Sequence, residues 1–147
     1  MPNSALLPFS AALYGVLNVP SLTAPPPLGA GARSIVEVPP EAVGTGTFPF
    51  VWYEIARETN VSGLGRGPWL FELEVRIHAF SVQQSMEEAQ RIIEEAIRLL
   101  RNAQLTPAGW HAWYLPNDDQ TLLPFELLAG EPVRELVTGW RAYVEES

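Results

Sequence analysis

The sequence contains no cysteine, and all nine of its basic residues are arginine, so there is no lysine either. Without cysteine there is no disulfide framework, no thiolate metal site and no cysteine nucleophile. Without lysine there is no P-loop lysine, no Schiff-base lysine and no catalytic Ser–Lys pair. Charge is scarce as well. Charged residues make up 18% of the chain, against roughly 25% in a typical soluble domain, which points to surface that a partner covers. No apolar run reaches about 18 residues, the length that spans a bilayer. The apolar start of the chain, Met1 to Thr23, lacks a basic leader and is interrupted by Pro2, Pro8 and Pro20. It reads as a helix, not a signal peptide.

What is present fits one domain over residues 1–147, of 16.2 kDa, with 47% apolar residues to build a core. Acidic residues number 17 against 9 basic, for a net charge of −8. Contact with phosphates needs positive charge, so binding of nucleic acid by charge is disfavoured. A protein past which DNA moves without sticking is compatible with this balance.

The pattern along the chain predicts an α+β fold: an antiparallel sheet of about four strands with two helices packed on one face. Leu6, Phe9, Leu13, Val16 and Leu17 recur near a 3.6-residue period, predicting a helix from about Leu7 to Leu17 with Pro8 in its first turn. From about 20 to 47 prolines and glycines crowd together, which predicts extended connection, with a short strand candidate at Ser34–Val38. Phe48–Glu58 is rich in aromatic and β-branched residues and reads as a strand whose start is marked by Pro49. Thr59–Pro68 reads as a hairpin loop. Along Trp69–Phe80, Trp69, Phe71, Leu73, Val75, Ile77 and Ala79 alternate with Glu72, Glu74, Arg76 and His78, the pattern of a half-buried antiparallel strand. Ser85–Arg101 reads as a helix opened by a Ser85/Glu88 capping box, with Met86, Ala89, Ile92, Ile93, Ala96, Ile97 and Leu100 as its buried stripe. Trp110–Leu115 reads as a short strand, and a second apolar segment spans Thr121–Leu128. Over 133–144 the apolar residues fit a helix or a strand. Gly139, Thr138 and the valines tilt the reading towards a strand that pairs with Trp69–Phe80.

Chemistry is harder to find. Gly63-Leu-Gly-Arg-Gly67 is followed by Pro68 and a strand, whereas a phosphate loop needs a helix N-terminus there. Two distant histidines, His78 and His111, are too few for a zinc site without cysteine. His78 reads as a surface residue of a polar strand face and His111 as packed against Trp110 and Trp113. The pairs Glu54/Glu58 and Glu72/Glu74 read as a solvated sheet face, not as an acid–base couple. No catalytic, cofactor-binding or metal-binding residue is therefore expected, and no cofactor. Five tryptophans, Trp52, Trp69, Trp110, Trp113 and Trp140, divide between core and interface.

An N-terminal helix, a proline-rich connection, Pro49-Phe50-Val51-Trp52-Tyr53 entering a strand, a Gly-rich hairpin and Arg76-Ile77-His78-Ala79-Phe80 closing the next strand follow in order. A helix from Met86 to Leu100 and a last strand near Trp140-Arg141-Ala142-Tyr143-Val144 complete the series. Taken together, this order resembles the phage tail-completion and tail-terminator proteins over most of the chain. It departs from them in the longer proline-rich connection and in the extra Pro107–Leu128 segment. The resemblance implies a structural virion protein, not an enzyme. Such a protein forms a ring, commonly a hexamer, on the end of the tail tube and presents a surface to the head–tail connector or neck protein. DNA passes through without specific binding, and no membrane is involved. Asn60, Leu64, Arg66, Trp110, Trp113 and Tyr114 are the expected protein-interface residues, with the loop Asn60–Gly67 and the segment Pro25–Gly46 as contact arms. Glu54, Glu72 and Glu74 are candidates for an acidic lumen. Two other readings stay open: a head-completion or neck adaptor on the portal side, and a small-molecule-binding domain built on the Trp110–Tyr114 aromatics.

Overall fold

A computed structural model of the chain describes residues 4–23, 35–36, 49–62, 69–81, 87–114, 120–122, 126–128 and 131–146. The elements in order are α1 (Leu6–Leu17), α2 (Pro20–Thr23), β1 (Ile35–Val36), β2 (Phe50–Asn60), β3 (Leu70–Ser81), α3 (Glu87–Asn102), β4 (Trp110–Tyr114), β5 (Gln120–Leu122), β6 (Glu126–Leu128) and β7 (Glu131–Glu146).

Four antiparallel strands in the order β2-β3-β7-β4 make the body of the sheet, and α1 and α3 lie on one face of it. The expected α+β architecture is present. β2 and β3 form the hairpin, closed where the Val61 N–H donates to the Leu70 carbonyl at 2.9 Å and the Ser62 Oγ accepts the Leu70 N–H at 2.7 Å. The C-terminal segment is a strand of 16 residues. Between Arg134 and Glu145 it pairs with the whole of β3, from Leu70 opposite Glu145 to Ser81 opposite Arg134. Its other edge is shared by β4, β5 and β6 in turn. Two neighbouring strands satisfy the backbone of β7 on both sides, which is the long-range term that a helix over the same residues would forgo. β1 adds two residues parallel to the start of β2.

Alternation on β3 and β7 builds the core. Leu73, Val75, Ile77 and Ala79 face the helices and are fully buried, and they are matched across the strand by Ala142, Trp140, Thr138 and Leu136. From α3 come Ala89, Ile92, Ile93, Ala96, Ile97 and Leu100, the stripe predicted from spacing. Ser85 and Met86 lie outside the described residues. The Glu88 carboxylate accepts the Ser81 Oγ–H at 2.6 Å. On the outer side of α3, Glu87 pairs with Arg91 and Glu95 with Arg98. The hydrogen bond and charge of Glu95 hold the Arg98 guanidinium above its ordinary pKa. α1 contributes Phe9, Leu13 and Leu17, with Pro8 in the first turn where its missing N–H is not needed.

One local irregularity changes the assignment of a side chain. The β2/β3 register shifts between Ile55 and Arg57, so Ala56 is an extra residue on β2. Before the bulge Val51, Tyr53 and Ile55 point to the helices. After it Glu58 does. Glu54 and Glu58 therefore lie on opposite faces, not on one solvated face as expected from their spacing. The Glu58 carboxylate accepts the Ser4 Oγ–H at 2.9 Å and the Ala5 N–H at 3.0 Å, at the N-terminus of α1. α1 has no acidic residue in its own first turn. The bulge brings one to it from β2, where an anion favours the helix dipole.

Candidate functional site

The face of the sheet turned away from the helices collects the polar side chains. β2 supplies Trp52 and Glu54, β3 supplies Glu72, Glu74, Arg76 and His78, and β7 supplies Glu135, Arg141 and Tyr143. Register brings them together: Trp52 lies opposite His78, Glu54 opposite Arg76 and Val137 opposite His78. Glu54 and Glu135 are thus the diagonal neighbours of His78 on its two flanking strands, within reach of a long side chain.

His78 is the centre of this arrangement. It is 8% exposed, a buried residue and not the surface residue expected from the strand pattern. Its Nδ1 lies 2.6 Å from Glu135 Oε1 and its Nε2 3.1 Å from Glu54 Oε1. The Trp52 ring lies 4.6 Å away and the Phe80 ring 6.1 Å away, the latter stacked. A neutral imidazole donates from one nitrogen only, and an ionised carboxylate only accepts. Both contacts are hydrogen bonds at once when the Glu54–His78–Glu135 group holds one proton beyond a neutral ring and two carboxylates. Each ring nitrogen thus faces a carboxylate of the same chain, one from each flanking strand. Its chemistry is that of a clip across β2, β3 and β7. Among the described residues no group of three or more His, Asp or Glu is placed to hold a metal ion.

Beyond His78 the face becomes an ionic belt. Arg76 lies 3.1 Å from Glu74 and 3.9 Å from Glu54, and Arg141 lies 3.4 Å from Glu72. The three carboxylates considered for an acidic lumen are thus each beside a cation of the same chain. The far end of the face is aromatic. Trp113, 48% exposed, stacks on Tyr143 with ring centres 6.3 Å apart.

The other expected interface residues separate. Asn60 is exposed at the hairpin, where its Oδ1 accepts the Ser62 N–H at 2.9 Å. Leu64 and Arg66 lie outside the described residues, as do most of the two expected contact arms. Trp110 is a correction. It is 8% exposed, belongs to the core and meets the Phe71 ring at 5.5 Å. Strand alternation sends Trp110 inward and Trp113 outward, which divides the aromatic cluster on which a ligand site would rest. The turn before β4 sets that phase: Gly109 takes φ 83°, and the Trp110 N–H donates to the Pro107 carbonyl at 3.0 Å. Tyr114 is the last residue of β4, opposite Ala142, and its side chain lies outside the described residues. His111, expected against aromatics, is exposed at a position opposite Glu145.

Glu135 is the residue that sequence reasoning missed. It sits 57 residues from His78 in the segment whose secondary structure was ambiguous. Only the strand assignment, followed by register, would have brought it there.

Comparison with protein-family models and with curated protein sequences finds no match for this chain. Among the described residues no helix is long and apolar enough to cross a membrane.

Proposed function

We propose that the chain is a structural assembly protein of the tail-completion type, a subunit of a ring that caps a phage tail tube and joins it to the head connector. The observation that carries the reading is the open face of the sheet. It is four strands wide, its carboxylates at 54, 72 and 74 lie beside Arg76 or Arg141, and it ends in the exposed Trp113, stacked on the half-buried Tyr143. A surface whose charges are compensated within the subunit can be covered by a partner without burying a lone charge. An exposed tryptophan is the kind of anchor that carries binding energy. The order of helix, hairpin, helix and closing strand is the one on which the resemblance rests. The paired state of Glu54, Glu72 and Glu74 favours contact with protein over repulsion of DNA, so the reading does not require an acidic lumen.

Electron microscopy of particles assembled without this protein tests the reading. Overlong tails that never join heads are expected. Full tailless heads beside free tails of normal length would instead indicate a portal-side adaptor. Normal joined particles would remove the protein from assembly altogether.

A further inference from the structure

At one end of the open face the polar side chains are buried. Glu135 is 7% exposed and His78 8%, so their contact at 2.6 Å is largely out of water. The charged groups that face His78 can be taken element by element among the described residues. β2 supplies Glu54, 3.1 Å from Nε2. β7 supplies Glu135, whose one ion pair among the described residues is with His78. Arg134 beside it lies opposite Ser81, and alternation turns it to the helix-covered face. β3 itself supplies Arg76, whose guanidinium lies 3.9 Å from Glu54 but 3.1 Å from Glu74. That one cation is therefore shared by two carboxylates. Arg57 and Arg141 stand one step further off, opposite Glu74 on its two flanking strands. β1 (Ile35–Val36) and β5 (Gln120–Leu122) bring no charged residue. On β6 the charged position is Glu126, opposite Val133. The surroundings of His78 thus hold more anions than cations.

We propose that Glu54, His78 and Glu135 form a proton-binding site, and that the proton it holds makes the joining of β2 and β7 across β3 depend on pH. A neutral imidazole has one N–H and one lone pair. With both carboxylates ionised, one of the two contacts then sets a lone pair against a carboxylate oxygen. One added proton turns both contacts into charge-assisted hydrogen bonds. The imidazole is a stronger base than a carboxylate, about 6.5 against about 4.3 for the free groups, so the ring carries the proton. Burial enlarges the difference, because a carboxylate that loses its donor in the interior is costly. When the proton leaves, His78 keeps one partner. Glu54 and Glu135 come from different strands, so a link between strands goes with it. The sign follows from proton counting. Below about pH 6.5 a histidine of the unfolded chain is charged as well, and the contribution is fully present. Above that pH, folding takes up one proton. The folded-to-unfolded ratio then falls as pH rises, by up to about tenfold per pH unit, until the folded site lets its proton go.

The inference concerns the fold and holds whether or not the open face joins a tail. The chain has two histidines, and the exposed His111 serves as an internal reference for His78. Proton–nitrogen correlation NMR of the imidazole rings, followed on the full chain from about pH 5 to about pH 9, reads the protonation of each. Both ring nitrogens of His78 are expected to carry protons at a pH where His111 has become neutral. Urea denaturation at about pH 6, 7 and 8 gives the second readout. The unfolding constant of the wild type is expected to rise up to about tenfold per pH unit. Glu135→Gln is expected to remove most of that rise, because an amide can meet either a ring N–H or a ring lone pair. A His78 that becomes neutral with or before His111 would overturn the proposal. So would a rise of equal size in the wild type and in Glu135→Gln. The NMR measurement needs no variant, so it decides the matter even where Glu135→Gln fails to fold.

Discussion

On β3, Leu73, Val75, Ile77 and Ala79 are fully buried beneath the helices, whereas Glu72, Glu74 and Arg76, their sequence neighbours, stand partly in solvent on the other face. The same twelve residues thus face two environments. Burial of an aliphatic side chain contributes about 1.5–3 kcal/mol, and an exposed ion pair between about 0 and 1 kcal/mol. The helix-covered face therefore supplies stability, and the open face is free to specialise. His78 is where this division fails. It belongs to the polar face by alternation and to the interior by burial, and Glu54 and Glu135 hold it there.

The largest expected effect tests the covered face. Ile77→Ala should destabilise the fold by about 2–5 kcal/mol, a large part of a typical 5–15 kcal/mol, read by urea denaturation. A loss below about 1 kcal/mol would mean that the helices contribute less than the burial implies. His78→Ala comes next, at about 2–3 kcal/mol, because it leaves the buried Glu135 carboxylate without its partner. A double-mutant cycle with Glu135→Ala should then show coupling of at least about 1 kcal/mol. If the two changes simply add, the clip does not exist. Glu58→Ala should cost about 1 kcal/mol, as loss of a helix cap does. Its signature is local: amide exchange at Leu6, Leu7 and Phe9 should accelerate while the sheet stays protected. Arg141→Ala is the smallest, within about 0.5 kcal/mol, since its pair with Glu72 is exposed. A cost equal to that of His78→Ala would make the open face uniform and erase the distinction.

Much of the architecture was legible without the structure. Apolar spacing located α1, α3 and β3 to within one or two residues, because in each the buried face repeats at the period of its own backbone. The strand assignment at Gly139 and Thr138 was also within reach, although periodicity over 133–144 was compatible with both structures. The site was much less legible. β3 displayed His78 on its polar face, but nothing local indicated that the end of that face is covered, with His78 and Phe80 both buried. Trp110 and Trp113, three residues apart, looked like one cluster until strand phase sent them to opposite sides of the sheet.

Alternation and helical period are properties of neighbouring residues, so the chain specified its two-layer build, its buried stripes and its lack of lysine or cysteine chemistry directly. The Glu54–His78–Glu135 clip, the transfer of Glu58 to the cap of α1 by one extra residue at Ala56, and the division of the tryptophans all depend on which strand lies beside which, and in what register. The His78–Glu135 contact alone joins residues 57 apart, and no local pattern encodes an interaction between groups that meet only once the sheet has closed.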